Sequence, residues 1–444
     1  MERMGLLDAE FWDLEDEHVA LHIGGIAVFD GPVPSADELR DRYLERLGSL
    51  PRLRQRMRGT PFGLTRPRWS DDRDFDLTYH LHWATIPNPG TPEQLNSAVG
   101  QIMSYRLDQA RPLWEVWVVQ GLAGGQWALV LKMHHSMVDG MGGMEVFAAF
   151  LDDVDLPVRH PAERTSAVGE VREFVHAITV AVLEPRRTVQ RAAGVIRGGM
   201  GYLRAVRPFT ASSVTGELGV ARRYRTTSAD LADVDAVRAA LGGTRNDVVL
   251  AMVTRGFREL LIGRDEVAAP HAVRCLVPVA VAPKTGVENA VSALVVELPV
   301  DFHDPAAAYG AVVVRTREVK HSHESEAGQA TLSLATHMPA LLVSILVKAV
   351  LRVPHRVLTT VTTNVPGPPL EQRLLGRRMV ALFPYVPIAD RIRIGVAVTS
   401  YAGRLMFGVT CDRNSVPDAD AFVRALDAGL GDLLKAAREV TEAH

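Results

Sequence analysis

Residues 133–140 read MHHSMVDG, and this stretch lies between two segments of different hydrophobic period. The segment before it, Trp127–Met133, is apolar apart from Lys132 and predicts a strand. After it, the apolar residues from Met144 to Leu151 recur at helical spacing and predict a buried helix. The two histidines therefore stand at the end of a strand, a position at which scaffolds commonly present functional side chains.

The histidine pair suggests acid–base chemistry. Neighbouring strand residues point to opposite faces, so His134 and His135 are not expected to face one cavity together. One of them is the candidate general base, because an imidazole with an ordinary pKa of about 6.5 accepts a proton from a hydroxyl at neutral pH. Asp139 is expected to orient the turn or to fix the tautomer of the imidazole. Gly140 permits close backbone approach or a positive φ.

Two other interpretations of these residues stay open. His135 and Asp139 have the i, i+4 spacing at which a helix can hold a metal ion. No third ligand at metal-site spacing accompanies them, since His80 and His82 are isolated in the sequence. A purely structural pair is the other alternative. The chain contains no Gly-x-Ser-x-Gly elbow and neither cysteine lies in a nucleophile motif, which favours direct attack by a bound acceptor.

Composition excludes several classes of protein. The 444 residues are 47% hydrophobic and 23% charged, with a formal net charge of -3. Disordered, collagen-like and coiled-coil proteins have other compositions, and this length can bury the cores of two or three domains. A protein that binds nucleic acid usually carries a basic excess, so no nucleic-acid partner is expected.

Cysteine content and apolar runs indicate the compartment. Two cysteines are too few for a disulfide framework, and residues 1–20 lack the basic and apolar regions of a signal peptide. A reducing, cytoplasmic location is therefore expected. The longest apolar runs, such as Pro339–Val350, are shorter than the roughly 20 residues that a membrane-spanning helix needs. The sequence predicts a protein that contacts a membrane surface at most.

The first third of the chain is predicted to mix helices and strands. Gly24 and Gly25 interrupt the first strand, which indicates a bulge or close packing there. Ser35 or Asp37 is the expected cap of the following helix, and a glycine-rich turn at 121–126 predicts a hairpin. The predicted elements are a strand at Leu21–Phe29, a helix ending at Leu47, a helix at Thr91–Tyr105, and strands at Trp114–Val119 and Trp127–Met133.

Residues 156–219 differ in composition from both flanking regions and form the predicted linker. One part of it carries six arginines, interleaved with apolar residues and without an acidic residue between them. One interpretation is a basic amphipathic surface for phosphate groups or anionic lipid. The alternative is a solvated helical face in a chain whose basic residues are nearly all arginine. The six are Arg186, Arg187, Arg191, Arg197, Arg204 and Arg207.

The second half repeats the mixture of helices and strands. Predicted helices are Asp230–Leu241, Asn246–Leu261, Ala306–Lys320 and Asp418–Val440, and predicted strands are Ala272–Val281, Ala293–Val300, Val357–Thr363, Ile392–Tyr401 and Leu405–Cys411. Two mixed α/β halves joined by a helical linker place the ligand site in the cleft between them. The predicted domains are 1–155, 156–219 and 220–444.

Residues 134–140 resemble the HHxxxDG motif of the chloramphenicol acetyltransferase-like superfamily, which contains CoA-dependent acyltransferases and peptide-synthetase condensation domains. Further segments resemble one family of it, the bacterial wax ester synthase/diacylglycerol acyltransferases. These segments follow the order of the family's motifs: LDAEF at 7–11, HIGG at 22–25, PLW at 112–114, NDVVLA at 246–251 and TNVPGP at 363–368. Residues 395–418 are similar to the family's C-terminal portion.

The resemblance implies a fold and a reaction. The fold is α/β (α+β), with two chloramphenicol acetyltransferase-like mixed-sheet domains, a helical linker, and an active site in a channel at their interface. The reaction transfers a long-chain acyl group from acyl-CoA to diacylglycerol, giving triacylglycerol, or to a long-chain alcohol, giving a wax ester. By resemblance, His135 is the general base and Asp139 is structural. The chemistry requires neither a metal nor a redox cofactor.

Other motif residues have both a functional and a structural interpretation. His134 and Gly140 support the catalytic residues. Asn246 and Asp247 support the cavity, or they cap the helix that starts there. The segment Asn364-Val365-Pro366-Gly367 lines the substrate site near the developing oxyanion, or it is a turn that packs the domain interface. Pro112-Leu113-Trp114 either contact substrate or begin a core strand, and we favour the core strand.

Two segments depart from the family or stay ambiguous. Residues 277–283 resemble the family's VPVS-R segment without its Ser and Arg, and Glu288-Asn289 stands where Gly-Asn is usual. These departures concern substrate preference more than reaction type. Residues 332–350 are apolar and either line an acyl tunnel or form a core helix.

The expected partners are acyl-CoA and a lipid alcohol. A water-insoluble acceptor implies peripheral attachment to membrane or lipid droplets, with the Arg186–Arg207 face as a contact. The alternatives are an acyltransferase of the same fold with a non-lipid hydroxyl acceptor and a non-catalytic lipid-droplet protein. A condensation domain fits less well, because the chain has no carrier domain and bears the NDVVLA and NVPGP segments.

Overall fold

The computed structural model describes residues 2–4, 12, 15–59, 67–137, 140–152, 212–280, 291–324, 358–368 and 370–442. Its strands are β1 Glu2–Arg3, β2 His22–Phe29, β3 Gln55–Arg58, β4 Arg68–Asp71, β5 Leu81–Thr85, β6 Trp114–Gln120, β7 Trp127–His134, β8 Arg222–Asp230, β9 Val273–Ala280, β10 Val291–Leu298, β11 Thr360–Val365, β12 Arg373–Leu374, β13 Arg377–Tyr385, β14 Ile394–Tyr401 and β15 Arg404–Asp412. Its α-helices are α1 Ala36–Leu47, α2 Pro92–Ser104, α3 Gly140–Ala148, α4 Leu231–Leu241, α5 Arg245–Gly263, α6 Pro305–Glu324 and α7 Ala419–Glu442.

The first sheet has six strands in the order β12-β13-β2-β7-β6-β5. The predicted hairpin of β6 and β7 is confirmed, and β5 is parallel to β6. The apolar face of α2 covers one side of this sheet, where Val99 and Met103 pack in one core with Ile26 and Val130. Helices α1 and α3 contribute Tyr43 and other apolar residues to the core on the opposite side.

The second sheet also has six strands, in the order β10-β9-β11-β14-β15-β8. Strand β11 is parallel to both neighbours, β9 and β14, and the other pairs are antiparallel. Residues of α4, α5, α6 and α7 form one large core with this sheet. The prediction of two mixed-sheet units is confirmed.

Capping residues set the starts of several helices. Ser35 caps α1 in a capping box with Glu38, so the first of the two predicted cap residues is the right one. Thr91 caps α2 with Gln94, and Pro92 occupies the first helical turn as predicted. Thr244 caps α5 and Asp247 is its partner, which is the structural role that the sequence offered as an alternative for Asp247.

The second half of the chain contributes strand β13 to the first six-stranded sheet. Residues 377–385 come from beyond the predicted boundary at 219, yet β13 pairs with β2 of the first sheet. In the other direction, α2 packs against β8, with the Asn96 side chain 3.1 Å from Thr226 Oγ1. The sheets therefore do not divide the chain at one point. That the chain folds as units with the limits 1–155, 156–219 and 220–444 remains a prediction.

Several expectations fall on residues outside the described part of the chain. These are Asp139, residues 7–11, residues 281–290, the arginine face at 186–207 and the apolar segment 332–350. Of the predicted helical linker, only 212–219 is described, and it contains turns and a bridge from Thr215 to Ile392 rather than a helix. Among the described helices, none is both long and apolar enough to cross a bilayer.

Candidate active site

The end of β7 places the two histidines of the motif. His134 is the last residue of β7 and lies opposite His22 of β2. Its backbone N–H donates to the carbonyl of Leu113, at 3.0 Å, and the N–H of His135 donates to the carbonyl of Leu21, at 2.8 Å. His135 begins a short 3₁₀ turn, His135–Met137, before α3 starts. Two backbone hydrogen bonds therefore hold the chain where the strand becomes a turn.

His134 faces the interior of the protein. The side chain is fully buried, and its Nδ1 accepts from the backbone N–H of Ser136 at 3.1 Å and lies 2.7 Å from Ser136 Oγ. The Trp12 ring meets the imidazole edge-on at 5.9 Å between centroids. Burial lowers the pKa of His134 to about 4, so the ring is neutral at physiological pH.

A buried carboxylate lies beside His134. The side chain of Glu15 is 1% exposed, and its Oε1 is 3.6 Å from His134 Nε2 and 3.5 Å from His22 Nε2. Its other oxygen, Oε2, accepts from Arg106 at 3.0 Å and from Gln109 at 3.2 Å. Because Arg106 neutralises the carboxylate, the cluster carries no uncompensated charge.

Two further buried bases extend this cluster along the sheet. Burial lowers the pKa of His22 well below its ordinary value, and the charge of Lys132 adds to that effect. Lys132 is itself buried, and its ammonium donates to the carbonyl of Tyr105 at 2.6 Å and lies 3.4 Å from Glu115. Burial also lowers the pKa of Lys132.

Sequence reasoning did not assign this cluster. Glu15 lies in an acidic stretch with Asp13, Asp16 and Glu17, and the sequence does not show that its side chain is 1% exposed whereas that of Glu17 is 84% exposed. The signal that was present was Lys132, a charged residue inside an otherwise apolar strand, together with His22 in a strand whose other residues are apolar.

His135 differs from His134 in its access to solvent. It is partly exposed, whereas His134 is fully buried. The expectation that the two rings do not share one cavity agrees with this difference. Of the pair, His135 is the one whose side chain keeps some accessible surface. Its predicted partner Asp139 lies outside the described residues, and Gly140 is the first residue of α3.

The segment Pro112-Leu113-Trp114 is part of the first core. All three residues are buried, and Trp114 Nε1 donates to the carbonyl of Leu53 at 2.7 Å. The Trp114 ring stacks on His80 at 4.3 Å, and His80 Nδ1 lies 2.8 Å from the Trp114 carbonyl. Burial favours the core-strand interpretation, in which Leu113 supports the backbone of His134. Substrate contact by the segment stays a prediction.

The segment Asn364-Val365-Pro366-Gly367 begins at the end of β11, the strand that pairs with β14. Asn364 is half-buried and lies opposite Val398. Thr399 Oγ1 donates to the carbonyl of Val365 at 2.8 Å, and Gly367 N–H donates to Ser400 Oγ at 3.3 Å. A Cβ on Gly367 would lie 2.1 Å from the Ser400 carbonyl oxygen, so this close approach requires glycine. The hydrogen bonds described for the segment hold it in the second sheet.

Asn246 and Asp247 begin α5. Asp247 is buried and accepts from the backbone N–H and hydroxyl of Thr244, at 2.8 and 2.7 Å, and from the Thr316 hydroxyl at 2.7 Å. It therefore joins the start of α5 to α6. Asn246 is half-buried beside it. Within the described part of the chain, no three His, Cys, Asp or Glu side chains are grouped as metal ligands.

Comparison with known sequences identifies the family. The model of the wax ester synthase/diacylglycerol acyltransferase catalytic domain matches residues 4–249, and that of the family's C-terminal domain matches residues 287–433. A probable diacylglycerol O-acyltransferase of Mycobacterium tuberculosis is 34% identical over 448 residues, which cover 98% of this chain and 96% of the relative. A putative diacylglycerol O-acyltransferase of the same organism is 30% identical over 439 residues, with 98% and 91% coverage.

Solved structures show the same fold. The wax ester synthase/diacylglycerol acyltransferase of Marinobacter aquaeolei VT8 superposes with a TM-score of 0.70 at 23% identity, covering 98% of this chain and 99% of that one. A starter condensation domain of rhizomide synthetase, in complex with C8-CoA, superposes with a TM-score of 0.56 at 13% identity and 97% and 95% coverage. The predicted chloramphenicol acetyltransferase-like fold is thus confirmed, and the chain belongs to the wax ester synthase/diacylglycerol acyltransferase family of acyltransferases.

Proposed function

We propose that the protein is a CoA-dependent O-acyltransferase that transfers a long-chain acyl group from acyl-CoA to diacylglycerol, to a long-chain alcohol, or to both. The observation that carries the proposal is the partly exposed His135 at the end of β7, in a chain that matches the family over nearly its whole length. The expected products are triacylglycerol and wax ester.

In the proposed reaction His135 acts as a general base. Its imidazole accepts the proton of the acceptor hydroxyl, and the resulting oxygen attacks the thioester carbonyl carbon. The C–S bond breaks as the tetrahedral intermediate collapses to the ester, and the imidazolium returns the proton to the CoA thiolate. General-base catalysis contributes about 10²- to 10⁴-fold to such a step. His134 takes no part in this proton transfer, because it is fully buried.

Other residues have supporting roles in the proposal. Asp139 orients the turn after His135. The Asn364-Val365-Pro366-Gly367 segment lines the substrate site from the second sheet, and its backbone and amide groups are candidates for stabilising the oxyanion, where losing one donor costs a few kcal/mol. Its half-buried Asn364 and its anchored backbone support this role. No metal or redox cofactor enters the reaction.

The acceptor is a lipid in this proposal, so the enzyme meets its substrate at a membrane or droplet surface. The names of the Mycobacterium relatives favour diacylglycerol, and that of the Marinobacter structure adds wax ester synthesis. The arginines between Arg186 and Arg207 are the proposed contact with anionic lipid. Flotation with anionic vesicles tests the contact, and a variant with four of these arginines changed to Gln is expected to lose binding.

Thiol release from palmitoyl-CoA tests the activity. The purified protein is assayed with diolein, with hexadecanol and with neither, and the products are separated by chromatography. We expect acceptor-dependent release of CoA and formation of the matching ester, both lost in His135→Ala. Ester formation that persists in His135→Ala would assign the base elsewhere. Folded protein without product from either lipid would exclude the lipid acceptors and direct the search to other hydroxyl compounds.

A further inference from the structure

Two backbone hydrogen bonds anchor the turn that carries His135: His134 N–H donates to the Leu113 carbonyl, and His135 N–H donates to the Leu21 carbonyl. Glu15 contacts residues of both anchors. Its Oε1 accepts from the backbone N–H of Leu21 at 3.3 Å, and the Leu21 carbonyl in turn accepts from the N–H of His135 at 2.8 Å. The same oxygen faces Nε2 of His134, the residue that precedes His135. The carboxylate therefore contacts the backbone of one anchor and the side chain of the other.

The groups that face the two ring nitrogens of His134 indicate its tautomer. The Ser136 N–H, a donor 3.1 Å from Nδ1, favours a lone pair on that nitrogen, and the Ser136 hydroxyl 2.7 Å away can donate to the same atom. In a neutral ring the proton then resides on Nε2, which lies 3.6 Å from the Glu15 oxygen. This distance is longer than a direct hydrogen bond, and the attraction is that of a carboxylate for an N–H dipole in a buried environment. The carboxylate and the Ser136 N–H thus favour the same tautomer.

We propose that Glu15 is a positioning residue for catalysis, which holds His135 through the Leu21 backbone and through the Nε2–H tautomer of His134. The inference rests on the proposed role of His135 as the base. Glu15 itself touches no substrate, since its side chain is 1% exposed. Its effect is on the geometry of the turn His135–Met137, which the bond from Ser136 N to His134 Nδ1 closes.

The substitution Glu15→Gln removes the negative charge of the side chain and keeps its shape. Arg106 and Gln109 both donate to Oε2, so the amide oxygen is expected to take that place and the amide NH₂ to face Leu21 and His134. The NH₂ group then opposes the Leu21 N–H, which loses its acceptor. It also favours the tautomer with Nε2 unprotonated, in which Nδ1–H opposes the Ser136 N–H. Both anchors of His135 weaken at once.

Two measurements test the proposal on the full-length protein. Nitrogen-15 NMR of histidine-labelled protein, with the His134 signals assigned by their loss in His134→Gln, is expected to show Nε2 protonated in the wild type and a shift toward Nδ1 protonation in Glu15→Gln. Kinetics with palmitoyl-CoA are expected to show a fall in kcat on the order of 100-fold, the scale of a small displacement of a reacting group, with KM within about twofold.

Glu17→Gln is the matched control. Glu17 lies two residues away in the same segment, its side chain is 84% exposed, and it lies 3.5 Å from the half-exposed His18. This variant is expected to leave both the His134 tautomer and kcat unchanged. A thermal melt of each variant distinguishes loss of positioning from loss of the fold.

The possible results distinguish failure of the role of Glu15 from failure of the proposed function. A wild-type His134 with Nδ1 protonated would overturn the proposal without any variant, and so would a folded Glu15→Gln enzyme with wild-type kcat. If the wild type itself transfers no acyl group, the proposed function fails. The tautomers of the wild type and of Glu15→Gln then still decide whether Glu15 controls His134.

Discussion

Two adjacent histidines in this protein have the same chemistry and different environments. His134 is buried against Glu15, His22 and Trp12, whereas His135 is partly exposed. Side chains along a strand alternate between its two faces, and a 3₁₀ turn begins at His135 directly after the strand. Together these two features produce the difference. Position in the element, rather than residue type, therefore decides which imidazole is buried.

The buried imidazole makes stability depend on pH. Burial holds the pKa of His134 at about 4, whereas in the unfolded chain it returns to about 6.5. Between these values the unfolded state binds more protons, so stability is complete above about pH 6.5 and falls as the pH is lowered toward 4. Between pH 7 and pH 5 the loss from this residue is on the order of 2 kcal/mol.

Thermal melts at pH 7 and pH 5 measure this effect. The fall in melting temperature is expected to be smaller in His134→Gln than in the wild type, because the variant lacks the titrating ring. His18→Gln, at a half-exposed surface site, is the control and should keep the wild-type difference. Equal falls in all three proteins would contradict the prediction.

Trp114 illustrates a motif residue whose role is structural. Trp114→Phe keeps an aromatic ring but removes the donor to the buried Leu53 carbonyl. An unsatisfied buried acceptor costs about 1–3 kcal/mol, so the melting temperature is expected to fall while KM for palmitoyl-CoA stays unchanged. Trp83→Phe, at a side chain that is 39% exposed, serves as the control. A raised KM at unchanged stability would instead support substrate contact.

At the scale of the element, β2 depends on one of its two glycines. A Cβ on Gly24 would lie 2.3 Å from the Leu131 carbonyl oxygen and 2.5 Å from Met103 Cε, whereas a Cβ on Gly25 would meet only Leu382 Cδ1, at 3.7 Å. The predicted close packing is confirmed at Gly24. The pairing of β2 with β7 runs in continuous register from His22 to Phe29, so no bulge interrupts it there.

The neighbouring glycines form a matched pair of variants. Gly24→Ala is expected to push β2 away from β7 and to lower the melting temperature by several degrees, the effect of overpacking by about 1–3 kcal/mol. Gly25→Ala is expected to change it little. Acyl transfer should fall in Gly24→Ala as well, since β2 carries His22 and borders β7. Similar melting temperatures for the two variants would refute this assignment of the contact.

Element boundaries were predictable where local chemistry sets them. The caps Ser35 and Thr91 and the hairpin between β6 and β7 were each visible in the sequence. Strands β8 and β13 were not predicted. Their sequences, RRYRTTSAD and RRMVALFPY, lack a clear alternation of apolar residues, because their pairing and burial come from distant segments.

At the scale of the whole molecule, the two sheets meet at β13 and β15. Tyr224 of β8 donates its hydroxyl to the carbonyl of Pro384 at 2.8 Å, and Tyr401 of β14 donates to the carbonyl of Met379 at 2.8 Å. Gly408 allows a close approach, since a Cβ there would lie 1.8 Å from the Pro384 oxygen. The two units are therefore expected to unfold together.

The tryptophans make this coupling measurable. All six lie between Trp12 and Trp127, so their fluorescence reports on the first unit. Gly408→Ala, in a strand of the second sheet, is expected to lower the unfolding midpoint seen by tryptophan fluorescence. Gly431→Ala, on the exposed side of α7 where a Cβ meets nothing within 4 Å, should not lower it. An unchanged midpoint in Gly408→Ala would show independent units.

The sequence by itself determined the family, the mixed α/β class and the strand end that carries His134 and His135. These follow from local motifs and hydrophobic periods, which neighbouring residues set. The tertiary structure decided which histidine is buried, the burial of Glu15 beside His134 and the pairing of β13 with the first sheet. Each of these depends on contacts between residues far apart in the chain, and the burial that shifts a pKa or selects a tautomer exists only after the sheets have packed.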